Sequence, residues 1–224
     1  MTAYKDAAFY DIKSSQADVH PRLIDRVRTH AEHDFQRPVR PAQSAYFHDL
    51  FSNITGPMVW DLGCGTGMST DRLALRYPRH HVIGVDKSLA RLQRHHGDAT
   101  RSALPPSGLG CLCRADAMDL IAHAVRHGLR ADAVYLLYPN PWPKPKHLQR
   151  RWHGHALFPS LLSLTGRVEM RTNWKIYANE FAMACRLLGW RVEEQIKVIE
   201  EPLSLFEAKY QAAGVVVYQV VALP

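Results

Sequence analysis

No run of 18 or more apolar residues occurs in this 224-residue chain, so no membrane span is expected. The N-terminus, Met-Thr-Ala-Tyr-Lys-Asp-Ala-Ala-Phe-Tyr, has no apolar core that would mark a secretory signal, and the expected location is cytoplasmic. Cysteine is scarce. Cys64, Cys111, Cys113 and Cys185 form no zinc pattern, and His30, His33, His80, His81, His95, His96, His147, His153 and His155 show no i, i+4 pair beside a carboxylate, so no metal is expected. Repeats and low-complexity tracts are also missing, which argues against a repeat array. Acids are absent from one long stretch: between Asp132 and Glu169 there is none, while Lys144, Lys146, Arg150 and Arg151 fall inside that gap.

The chain is 46% apolar and 22% charged, ordinary for a globular domain, and long enough to bury one core. Its 28 basic residues outnumber 21 acidic ones, a net +7 that fits nucleic-acid contact without proving it. A second basic cluster, Arg22, Arg26, Arg28, Arg37 and Arg40, precedes the first glycine-rich segment. Two such patches would suit the two flanks of a phosphate backbone. The expected division is an N-terminal arm and helix over 1–40 and a single domain over 41–224.

Periodicity predicts helices over 21–32, 42–51, 89–96, 118–127, 174–188 and 205–212, and apolar strands at 58–62, 81–86, 111–114, 133–138 and 166–172. The tail, 190–199 and 215–223, is β-rich. Alternating strands and helices imply a parallel sheet covered on both faces, and the closing pair implies one antiparallel insertion. The expected fold is therefore α/β, with a seven-stranded, mostly parallel sheet.

Two segments carry chemistry. The first, Val59-Trp60-Asp61-Leu62-Gly63-Cys64-Gly65-Thr66-Gly67, lies between a strand and a helix. Glycines there let the backbone approach a ligand, and the following helix offers free N–H groups. Asp86 ends the next strand about 20 residues on, where a carboxylate can accept both hydroxyls of a ribose. The second, Tyr138-Pro-Asn-Pro-Trp-Pro-Lys-Pro-Lys-His-Leu-Gln-Arg-Arg-Trp152, is a proline-stiffened, aromatic and basic loop after a strand. Open α/β sheets place their ligands at such strand ends.

The Gly-x-Gly-x-Gly spacing, with Asp61 before it and Asp86 after it, resembles the class I S-adenosylmethionine-dependent methyltransferases, a Rossmann-like fold. That resemblance implies S-adenosyl-L-methionine as cofactor, with Asp61, Gly63, Cys64, Gly65 and Gly67 at its methionine end. Asp86 would hold the ribose, Asp116 and Ala117 the adenine, and Pro139 and Asn140 would face the methyl group. From about Phe35 onward the chain resembles the tRNA (guanine-N7)-methyltransferase family. The matching pieces are Gln36–Gln43, Asp61–Gly67, Gly84–Asp86, Asp116-Ala117, Pro139–Arg151, Thr172–Ala178 and Ser204–Glu207. The resemblance implies a guanine N7 in tRNA as acceptor, Asn140 at the reacting centre, and Lys144, Arg150, Arg151, Asn173, Ser204 and Glu207 on the substrate.

The family pattern has acids where this chain has Asn140 and Asn173, and Thr in place of Ser204. An amide offers one acceptor and two donors, so it cannot copy a carboxylate that accepts two guanine N–H groups. Asn-Pro-Trp also resembles the Asn-Pro-Pro-aromatic motif of amino-group methyltransferases. A small nitrogen-containing metabolite is therefore a second expected acceptor class, and a non-catalytic RNA-binding module is a third reading.

Overall fold

The structure, a computed structural model, describes residues 14–94 and 110–224. Strands β1 (Met58–Leu62), β2 (His81–Asp86), β3 (Cys111–Arg114), β4 (Ala133–Leu137), β5 (Val168–Thr172), β6 (Arg191–Ile196) and β7 (Tyr218–Leu223) form one sheet in the order β3-β2-β1-β4-β5-β7-β6. β1 to β5 run parallel, and β7 inserts antiparallel between β5 and β6. This is the expected α/β architecture. Helices cover both faces of the central strands, so β1, β4 and β5 are buried at every position.

The helices are α1 (Leu23–Glu32), α2 (Pro41–Ser52), α3 (Met68–Arg76), α4 (Leu89–Leu92), α5 (Ala117–His127), α6 (Phe158–Ser163), α7 (Lys175–Leu187) and α8 (Leu205–Ala212). Expected boundaries agree within about three residues, except that α4 ends at Leu92. Its expected continuation to His96 lies partly outside the described residues, as do residues 1–13 of the N-terminal arm. On one face, Phe47, Trp60, Leu120, Phe158 and Phe181 make the main core; on the other, Leu73, Tyr135 and Leu203 make a smaller one. Helix α1 packs on α7 and puts Leu23 and Val27 into the main core.

Sequence periodicity missed the segment after β4. Two 3₁₀ turns, Pro145–Arg150 and Trp152–Gly154, lead into α6. Pro145 and Pro159 sit in the opening positions of their helical segments, where the lost N–H would have been unpaired anyway. Here proline starts short helices.

A buried carboxylate ties this stretch down. Glu180 of α7 is fully buried and accepts from Arg151 Nη1, from Gln16 Nε2 at 2.6 Å and from the His20 N–H at 2.9 Å; His153 Nε2 lies 2.9 Å from it. Arg151 in turn donates through Nε and Nη2 to the Trp142 carbonyl at 3.2 and 3.1 Å. Burial alone would raise the Glu180 pKa, but His153 and Arg151 pull it down to about 2. Glu180→Gln should therefore cost about 3–5 kcal/mol, because it leaves the Arg151 charge buried without its counter-charge. Urea denaturation checks this, and a loss below about 1 kcal/mol would mean that Arg151 finds another partner.

Candidate active site

Strand order reverses between β1 and β4, whose neighbours lie on opposite sides, and open sheets bind ligands at such a switch point. The loop after β1 supplies the glycine turn. Gly63, Gly65 and Gly67 have φ of 87°, 63° and 85°, a region that side chains disfavour. The Gly63 and Cys64 N–H groups donate to the Val85 carbonyl at 2.7 and 3.1 Å, which docks the turn on β2.

Asp61, at the end of β1, is 1% exposed. Its Oδ2 accepts from Ser69 Oγ at 2.6 Å and Thr70 Oγ1 at 2.8 Å, while Oδ1 is buried with no partner among the described residues. Burial pushes its pKa up to about 6, against the two hydroxyl bonds and with a smaller contribution from Asp86. Gly84 makes this arrangement possible: a Cβ there would stand 2.2 Å from Thr70 Oγ1. Asp86 is also buried, with Oδ1 accepting from the Ser88 N–H at 2.7 Å and Oδ2 from the Gly65 N–H at 3.0 Å. Arg91, largely exposed, sits 3.4 Å from Oδ2.

Two adjoining cavities open at this edge. The smaller, about 250 Å³, runs from Gly63 and Asp86 past Asp116, Ala117 and Pro139 to Trp142 and Arg150. The larger, about 590 Å³, runs from Gly63, Cys64 and Gly65 to Asn173, Ser204, Phe206 and Tyr210. Gly63, Tyr138, Pro139 and Asn140 line both. Asp116 caps α5 through the Met118 N–H at 2.9 Å and keeps a half-exposed carboxylate toward the smaller cavity. Cys64 is buried, and burial holds its thiol well above the usual range, so it is unsuited to act as a nucleophile.

The acceptor residues divide. Asn140, Asn173 and Ser204 line the larger cavity, and Arg150 lies over the Trp142 ring, 4.7 Å from its centroid, at the smaller one. Asn140 Oδ1 accepts from the Trp142 N–H at 3.2 Å, so this amide has its N–H₂ left to offer. Lys144 is exposed at the loop tip. Two expectations are corrected. Arg151 is 1% exposed and bound to Glu180 and the Trp142 carbonyl, so it holds the loop rather than the substrate. Glu207 is fully buried, accepting from Arg171 Nη1 at 2.8 Å and the Leu203 N–H at 2.6 Å. The Ser204 hydroxyl accepts from the Glu207 N–H at 3.2 Å, so the Ser-x-x-Glu spacing works here as the N-cap of α8.

The motifs did not single out Arg91, Arg94, Phe206, Lys209 and Tyr210, which also line the larger cavity. Phe206 and Tyr210 are one helical turn apart, stacked at 6.1 Å and 28°, with Tyr138 5.3 Å from Tyr210. Their i, i+4 spacing on a predicted helix was the available signal.

A family model, Methyltransf_4, described as "Putative methyltransferase", matches residues 55–220, which include every element that lines the two cavities after α2. The chain belongs to this methyltransferase family. Among curated relatives, the tRNA (guanine-N(7)-)-methyltransferase of Saccharophagus degradans is 29% identical over 64% of this chain and 59% of its own length. The relatives of the same name from Nitrosomonas eutropha and Pectobacterium atrosepticum are 24% and 27% identical, over 74% and 75% of this chain and 75% and 72% of their own lengths. The 16S rRNA methyltransferase KamB, at 16% identity, superposes with a TM-score of 0.56 over 84% of this chain and 95% of its own. An antibiotic-related methyltransferase, at 17% identity, gives 0.52 over 83% and 95%. These last two share the fold.

As a member of the methyltransferase family the chain takes S-adenosyl-L-methionine as its cofactor, and the residues present fit that molecule. The lone Asp61 oxygen suits an ammonium, the glycine turn leaves room for a backbone-close ligand, and Asp86 ends β2 where a ribose would lie. Cofactor affinity should then rise about tenfold per pH unit as pH climbs to about 6 and level off above, because only ionised Asp61 attracts the ammonium. The sign reverses for the free protein. Its folded Asp61 pKa lies above the unfolded value, so this group's contribution to stability falls as pH rises from about 4 to 6. Calorimetric titration of wild type and Asp61→Asn checks the binding slope, and urea denaturation of the free proteins between about pH 4 and 6 checks the stability slope: the variant should bind more weakly, and both of its pH slopes should be lost.

Proposed function

We propose that this methyltransferase acts on a ring nitrogen of guanine in tRNA, with N7 as the acceptor atom. One observation carries the reading. Among the described residues the larger cavity has no carboxylate in its lining; its charges there are Arg91, Arg94 and Lys209, and its neighbour is the basic loop of 139–151. Guanine N7 presents an in-plane lone pair and no proton, so its methylation needs no general base. A lining of cations and aromatics suits a negatively charged nucleic acid that inserts one planar base. The names of the curated relatives support the same acceptor.

When bound, S-adenosylmethionine supplies an electrophilic methyl on a sulfonium. Transfer to the acceptor nitrogen would form an N–C bond while the C–S bond pair left with sulfur, a chemistry the cofactor itself would supply. The protein's part is position. Pro139 and Asn140, shared by both cavities, stand between cofactor and acceptor, and the Asn140 N–H₂ is free to donate to a base oxygen or nitrogen. Phe206, 55% exposed and backed by Tyr210, offers a flat surface on the acceptor side.

The two asparagines favour a second reading, a small nitrogen-containing metabolite as acceptor. Labelled methyl transfer to unmodified tRNA, with mapping of the modified position, separates them. Robust transfer mapped to guanine N7 is the expected result; cofactor binding with no transfer to tRNA, and transfer to a small molecule instead, would establish the second. Phe206→Ala should raise the KM for tRNA about tenfold or more and leave cofactor affinity intact, since one stacked base is worth about 1–3 kcal/mol. Phe206→Trp should restore most of the loss.

A further inference from the structure

A further cavity, beside the two described, has no role in the reaction as derived. It holds about 650 Å³ and is lined by Arg37, Arg40, Lys87 and Arg114, with Gln43, Asp116 and Asp119 among its other residues. Its cations come from three elements whose ends converge at the ligand edge of the sheet: Arg114 closes β3, Lys87 follows β2, and Arg40 precedes α2. Four cations face two carboxylates, and those carboxylates are directed at one cation. Arg37 Nε donates to Asp119 at 2.7 Å, and its Nη2 lies 3.8 Å from Asp116. Arg40, Lys87 and Arg114 are exposed and make no ion pair among the described residues.

Three unpaired cations around one basin repel each other, so the fold gains nothing by gathering them. A polyanion removes that cost. We infer that this basin is a second phosphate-contact surface for the RNA substrate, on the adenine side of the cofactor site and opposite the loop of Lys144 and Arg150. The inference rests on the RNA reading above.

Geometry favours a continuous strand over a free anion. The basin shares Lys87, Ala115 and Asp116 with the smaller cavity, whose far rim is Trp142 and Arg150. From β3 to β4 the sheet takes three inter-strand steps of about 4.8 Å each. A nucleic-acid backbone can therefore touch both basic rims while one base enters between them. Phosphate contacts of this kind set register and orientation and carry no sequence information.

The test is tRNA binding by fluorescence anisotropy over a salt series, for wild type, R40Q/R114Q, R40K/R114K and K144Q/R150Q. Lys87 and Arg37 are left alone, because Lys87 also lines the cofactor cavity and Arg37 is held by Asp119. Each lost phosphate contact flattens the slope of log K against log salt by about 0.7–0.9, so R40Q/R114Q should flatten it by roughly 1.4–1.8. R40K/R114K should keep the wild-type slope, and calorimetric affinity for S-adenosylmethionine should be the same in wild type, R40Q/R114Q and R40K/R114K. A wild-type slope and affinity in R40Q/R114Q, with K144Q/R150Q impaired, would overturn the basin and leave the RNA reading standing. No tRNA binding by the wild-type protein would overturn the RNA reading and the basin together.

Discussion

The Glu180 carboxylate on α7 is the point on which the ligand edge depends. It gathers Arg151, His153, Gln16 and the His20 N–H into one buried cluster, so two stretches far apart in sequence are fastened to a single helix. Through Arg151 the fastening reaches the Trp142 carbonyl, in the middle of the basic loop. Such a charge is tolerable in the interior only because every oxygen has a donor; a half-satisfied version would be worse than an apolar core. The loop is shaped from below by this buried cluster, and its exposed residues, Lys144 and Arg150, are left free for a partner.

A second buried network does for the acceptor side what Glu180 does for the loop. Arg171 of β5 bridges Glu169 and Glu207, at 2.6 and 2.8 Å, and Gln219 of β7 donates to Glu169 at 2.5 Å. Glu207 then holds the Leu203 N–H, and Ser204 caps α8, which fixes where Phe206 and Tyr210 stand. The antiparallel insertion of β7 thus contributes to the site without touching it. Both networks spend charged residues on placing neutral or aromatic ones at the cavity wall.

Much of this was legible in the sequence, and the parts that were not have a common cause. The five parallel strands and the glycine turn were clear because β1 and β4 are mostly apolar runs and the turn residues come directly after β1. The insertion of β7 was foreseen from two strand-like runs lying close together. Arg151 and Glu207 were read as substrate contacts because motif spacing reports which residues recur together, not which way they face. Their partners, Glu180 and Arg171, lie 29 and 36 positions away, and nothing local signals the pairing. The basin was half visible: Arg37 and Arg40 stood out as a cluster, whereas Lys87 and Arg114 joined it only when β2 and β3 were laid side by side.

Tyr138 and Trp142 both adopt φ values, 53° and 43°, that side chains disfavour. Such a backbone persists only where its surroundings over-determine it, and here Arg151 grips the Trp142 carbonyl while Tyr138 is wedged beside Phe206 and Tyr210. A rim held this firmly has little conformational freedom left to lose when a partner docks. It discriminates by refusing to adapt: an acceptor of the wrong outline finds a wall that does not yield, and selectivity comes from exclusion rather than from added contacts.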